Sequence, residues 1–160
     1  MNSVEWIICE RAIKWASALR TAIAREPLPH PSLRIYEVRK LREITARLDA
    51  RPQSLVLVEV DRDRLAAVLE WFADAAPRYP AARFAALCEY DLTGSGADRQ
   101  AAGESLVEAG VCEAAFSPRR LHAILSLGRR HAKLAGPPSL NLASLSMADW
   151  AWARLPWQGE

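Results

Sequence analysis

Short apolar runs alternate with stretches of helical period along most of the chain, and the alternation occurs five times. Val4 to Cys9 is the first run, rich in β-branched and aromatic residues, and it stops at the charged pair Glu10-Arg11. Such a run predicts a strand buried on both faces. From Ala12 to Ala24 the residues Ile13, Trp15, Ala16, Leu19, Ala22 and Ile23 recur at helical spacing, with Lys14, Arg20 and Arg25 left for solvent. Pro27-Leu28-Pro29-His30-Pro31 cannot continue that helix, because proline lacks the amide donor and fixes φ.

Leu33 to Val38 alternates as a strand does, and Leu41 to Leu48 has helical period. Ser54 to Val60 is the most apolar run and predicts the central strand of a parallel sheet. Asp61 or Asp63 is placed to cap the next helix, whose face of Leu65, Val68, Leu69, Phe72 and Ala73 is expected to end at Pro77. Arg83 to Cys88 reads as the fourth strand and Gly94-Ser95-Gly96 as the loop after it. Ala101 to Ala109, with Leu106 and Val107, is a short helix closed by Gly110. Val111 to Phe116 is the fifth strand, and Pro118 is expected to open a last helix from Arg119 to about Ala135 along Leu121, Ile124, Leu125 and Leu127.

Strands alternating with helices through short loops predict an α/β domain, a doubly wound five-stranded parallel sheet, over residues 1–135. After Gly136-Pro137-Pro138 the character changes, and residues 136–160 read as a linker and a tryptophan-rich tail. The 160 residues, 51% hydrophobic and 25% charged, suit one folded domain rather than a disordered chain. A net charge of only +2 excludes a global field for nucleic acid or anionic membrane, so any basic site must be local. Cys9, Cys88 and Cys112 each lie in an apolar run without zinc or redox spacing, which predicts reduced core thiols. No leader or membrane-spanning pattern is visible, and a cytoplasmic protein without a cofactor is the expectation.

The order of elements and the residues at the strand ends resemble the response-regulator receiver family over roughly residues 4–133. The resemblance implies a flavodoxin-like fold with strand order 2-1-3-4-5. It also implies a phosphoryl-transfer site of an acidic pair after strand 1, an aspartate at the end of strand 3, a Ser/Thr after strand 4 and a Lys-Pro after strand 5. In this sequence those positions hold Glu10 and Arg11, Glu59, Cys88, and Ser117-Pro118. One carboxylate of the metal pair is kept and a cation replaces the other. Glu59 reaches one methylene farther than aspartate, far enough to imitate the charge of a phosphorylated one. Cysteine is a weak hydrogen-bonding partner, and Ser117 lacks the charge that would pair with an acyl phosphate. Phosphoryl transfer needs the metal and the cations around developing charge, so the resemblance implies a pseudo-receiver without that chemistry. A cis peptide before Pro118 and a plain trans turn are both open at this stage.

Three other features carry functional readings. Gly94-Ser95-Gly96 lacks the Gly-Lys-Ser/Thr of a phosphate loop and is read as a connection. The last helix is basic through Arg119, Arg120, His122, Arg129, Arg130, His131 and Lys133, which fits a solvated face, a nucleic-acid contact or, by resemblance, a homodimer surface. Three of the six tryptophans fall in the last eleven residues; Trp150, Trp152, Arg154, Leu155 and Trp157 form a candidate docking segment, capped by Ser146 if helical. The leading reading is therefore a non-enzymatic regulatory or scaffolding module working through protein contacts with unknown partners. A ligand-binding or catalytic crevice at the strand ends around Glu10 and Glu59 is the alternative, and nucleic-acid binding through the basic helix is a second.

Overall fold

A computed structural model of the chain describes residues 3–26, 28, 33–88 and 96–134. In chain order the elements are β1 (Val4–Cys9), α1 (Lys14–Arg25), β2 (Leu33–Val38), α2 (Leu41–Ala50), β3 (Leu55–Val60), α3 (Leu65–Arg78), β4 (Arg83–Cys88), α4 (Gly96–Glu108), β5 (Glu113–Ala115) and α5 (His122–Leu134). All strand pairs are parallel, in the order β2-β1-β3-β4-β5. The expected flavodoxin-like, doubly wound topology is the observed one.

Because strand side chains alternate between faces, each run feeds two cores. Ile7, Cys9, Val56, Val58 and Ala86 pack on one face with Ile44 and Leu48 of α2, Val68 and Phe72 of α3, and Leu106 of α4. Trp6, Ile8, Leu55, Leu57 and Leu87 pack on the other with Trp15 and Leu19 of α1 and Ile124 and Leu125 of α5. β1 and β3 are buried along their whole length, which is why their sequences carry no polar alternation.

The helix ends show where local rules hold. Asp61 caps a 3₁₀ turn at Arg62–Arg64, its side chain accepting the Arg64 amide at 2.9 Å, and α3 continues from that turn. Gly110 closes α4 at φ 96°. Its amide reaches the Val107 carbonyl and the Val111 amide reaches the Leu106 carbonyl, each at 3.0 Å, in the six-to-one and five-to-two pattern of a left-handed cap. A Cβ at Gly110 would also lie 2.6 Å from the Ala76 Cβ, so glycine is required twice over.

Several expected boundaries differ. α3 passes through Pro77 and ends at Arg78, because a proline one residue before the end removes a single helical donor; the Tyr79 amide still reaches the Ala75 carbonyl. Gly96 begins α4 rather than ending a loop, and residues 89–95, including Gly94 and Ser95, lie outside the described residues. β5 is only three residues long. Pro118 does not open α5; it sits in a turn closed by the Arg120 amide on the Ser117 carbonyl, and the helix starts at His122. No cis peptide occurs among the described residues, so the Ser117–Pro118 bond is trans. Ile13, expected on the apolar face of the first helix, is 60% exposed because it stands at the N-cap, before α1 begins, and Val107 of α4 is 69% exposed. Cys112, expected in the core, is exposed beside the short β5, while Cys9 and Cys88 are buried. The tail, residues 136–160, lies outside the described residues.

Candidate functional site

Ligand sites of open parallel sheets form at the carboxyl ends of the strands, and here β1 and β3 end side by side. Glu10 follows β1 directly and is fully buried. Its carboxylate turns back to the start of α1, where Oε2 accepts the Trp15 amide and Oε1 accepts the Ala16 amide, each at 2.8 Å. Both oxygens are thereby engaged by the first unsatisfied donors of the helix, where a negative charge also suits the helix dipole.

Arg11 projects over the same edge. Its main-chain amide donates to Glu59 Oε1 at 3.4 Å, and its guanidinium pairs with Asp61 Oδ2 at 3.4 Å. Glu59 itself is 5% exposed. Arg39, after β2, donates to the Glu10 carbonyl at 3.0 Å and lies 3.8 Å from Glu37, which also pairs with Arg20 of α1. Glu43 closes the start of α2 by accepting the Arg39 and Lys40 amides at 2.8 and 2.7 Å, and those two hydrogen bonds hold its carboxyl below the usual range. Burial pushes the Cys9 thiol up, an effect opposed by the nearby Arg64 guanidinium.

Glu10, Arg11 and Glu59 are thus brought together, whereas Cys88 and Ser117 are differently employed. Glu59 lies opposite Leu87 and Cys88 opposite Val60, so alternation sends Cys88 toward the opposite face from Glu59. Cys88 packs with Val58, Val60 and Phe72, and burial raises its thiol to about 12. A thiol in that state is neither a nucleophile nor a useful switch group. The Ser117 hydroxyl accepts the Arg119 amide at 3.2 Å within its own turn. Pro118 lines a groove between α1 and α5. Among the described residues no group of three or more His, Cys, Asp and Glu side chains is placed to hold a metal ion.

Three of the basic residues counted on the last helix are tied to its own domain. Arg129 bonds Glu26 at 2.8 Å and Arg130 bonds Glu113 at 2.9 Å. His131, counted with the cations by sequence, is instead buried at 3% exposure, with Nε2 2.5 Å from the Gln53 carbonyl. Burial lowers its pKa below 6.5, the Gln53 hydrogen bond opposing. A histidine whose folded-state pKa is depressed stabilises the fold fully above its unfolded value and loses that contribution as pH falls through the folded one. Thermal stability is therefore expected to decline below pH about 6.5, and His131→Gln to flatten that decline. Melting temperatures measured from pH about 7.5 to about 5 for both proteins check this; parallel curves would remove His131 as the cause.

Asp61, read from the sequence only as a helix cap, and Arg39 and Glu43, which the sequence did not single out, also belong to this site, because their partners are distant in the chain or lie across a loop. Trp150, Trp152, Arg154, Leu155 and Trp157 lie outside the described residues.

No protein-family model matches the sequence, and no curated protein matches it. Solved structures do resemble it. A CheY-like protein, TadZ, of Pseudomonas aeruginosa aligns with a TM-score of 0.61 at 14% identity, covering 81% of this chain and 100% of that one. A response regulator of Thermotoga maritima aligns with a TM-score of 0.62 at 15% identity over 81% and 97%. The pilus assembly protein CpaE of Caulobacter crescentus aligns at 0.53 and 20% identity over 83% and 93%. The fold is that of a receiver-like, CheY-like α/β domain. Among the described residues no helix is long and apolar enough to cross a membrane.

Proposed function

We propose that the chain is a receiver-like regulatory or scaffolding module that acts through protein contacts and performs no phosphoryl transfer. One observation carries this reading: both oxygens of the buried Glu10 carboxylate are taken by the Trp15 and Ala16 amides. Mg²⁺, the metal such a fold uses, demands near-octahedral oxygen ligands and is held by carboxylates free to face it. The residues present do not fit it. Glu10 faces the helix, and Arg11 brings a cation to the position of the second ligand, paired with Asp61. Without the metal there is nothing to neutralise the charge that develops on a transferring phosphoryl group.

Glu59 in this reading supplies a permanent negative charge at the end of β3, held by the Arg11 amide, in place of a transient acyl phosphate. The state of the module would then be set by what binds it. The surfaces proposed for partners are the outer side of α5 around Arg129 and Arg130, which would also serve a homodimer, and the segment of Trp150, Trp152, Arg154, Leu155 and Trp157. CpaE's description as a pilus assembly protein supports the scaffolding branch. The chain is proposed to be no enzyme and to need no cofactor. Incubation with Mg²⁺ and acetyl phosphate, followed by intact mass measurement, is expected to give no phosphoryl adduct. An adduct, at Glu59 or elsewhere, would overturn the reading.

A further inference from the structure

An open groove of about 460 Å³ runs between α1 and α5, lined on the α1 side by Ala18, Thr21, Ala22, Arg25 and Glu26 and on the other by Pro118, Arg119, Leu121, His122 and Leu125. Ala18, Thr21 and Ala22 are the small side chains of its α1 wall, across from Leu121 and Leu125. Its floor is apolar and its rim is cationic. Arg25 and Arg119 have no carboxylate partner among the described residues, in contrast to Arg129 farther along α5, which holds Glu26. A groove of this size takes one or two aromatic side chains with a polar group at the mouth.

α5 forms one wall of the groove and ends at Leu134, which is 73% exposed. The chain continues from that wall into the segment holding Asp149, Trp150, Arg154 and Trp157. Returning from Leu134 to Leu125 takes roughly 14 Å at the helical rise, whereas the residues between Leu134 and Asp149 can span roughly 45 Å when extended. Reach is therefore ample, and a tethered segment meets its site at high effective concentration. The chemistry agrees: indoles suit the apolar floor, and Asp149 suits Arg25 or Arg119 on the rim.

We propose that the Asp149–Trp157 segment docks in cis into the α1–α5 groove of its own domain, so that the groove and the segment cover one another until a competing partner separates them. This goes beyond the reading of the strand-end site and does not depend on it.

The test is a ¹⁵N NMR comparison of the full-length chain with two full-length variants, Ala22→Phe, which fills the groove, and the double variant Trp150→Ser with Trp157→Ser. In the native chain the Trp150 and Trp157 indole signals are expected to be dispersed and independent of protein concentration, and Ala22→Phe to move both to the positions of a solvated chain. The double serine variant is expected to shift the amides of Ala18, Ala22, Leu121 and Leu125, which keeps the test open if Ala22→Phe fails to fold. Indoles already at solvated positions, groove amides that ignore the serine variant, or shifts that appear only as concentration rises would each overturn cis docking, the last assigning the groove to a second copy.

Discussion

Gly128→Ala is expected to destabilise the domain by about 2 kcal/mol or more, lowering the melting temperature by roughly 4–8 °C. Gly128 lies on the inner face of α5, and a Cβ there would fall 2.3 Å from Cζ2 and 2.8 Å from Cη2 of Trp6. Trp6 is fully buried in β1, between neighbours on both sides, so its ring has no room to withdraw. Alanine is about 1 kcal/mol better than glycine in a helix, and the overpacking must exceed that gain. Trp6→Phe removes those two ring atoms along with an indole N–H that has no hydrogen-bond partner among the described residues. The double variant should then be more stable than Gly128→Ala alone, with a coupling above about 1 kcal/mol in a double-mutant cycle. Additive losses in chemical denaturation would show that the two residues do not press on each other.

Glu10→Gln is expected to cost about 2–3 kcal/mol of stability, because the amide keeps one acceptor and turns its NH₂ against the other backbone donor. The loss should be local as well as global. Hydrogen exchange at the Trp15 and Ala16 amides is expected to accelerate more than exchange elsewhere in α1, since those are the amides that Glu10 accepts. Glu10→Ala, which leaves both donors without an acceptor, should be worse. A neutral result for both variants would show that water replaces the carboxylate, and the structural role assigned to Glu10 would fail.

The sheet was legible because its physics is local. Buried parallel strands such as Leu55–Val60 announce themselves as unbroken apolar runs, and Gly110 announces a left-handed cap by standing after the last helical residue. Helix ends were less legible where a turn intervened: Pro118 read as a helix start, yet the Ser117 hydroxyl and carbonyl close a separate turn first. His131 shows the limit of charge counting, since only the packing of α5 reveals that this residue faces Gln53 rather than solvent.

Within the strand-end site, the identities at Glu10, Arg11 and Glu59 were visible from the resemblance, but their use was not. That Glu10 turns from the crevice to cap α1, that Arg11 meets Asp61, and that Arg39 reaches the Glu10 carbonyl are contacts across loops with no sequence signature. Cys88 occupies the expected position in the chain, while the alternation of β4 directs it into the core. The groove between α1 and α5 had no signal at all, because alanine on a helix face reads as core or as surface equally well.

On the proposed reading, the carboxylates at the ends of β1 and β3 hold no divalent metal. Mn²⁺ substituted for Mg²⁺ in an NMR titration tests it most directly, because a paramagnetic ion broadens the amides around it. Cys9, Glu10, Arg11, Glu59 and Asp61 are expected to broaden no more than positions elsewhere in the domain. Selective, saturable broadening at those residues would place a metal at the strand ends and contradict it.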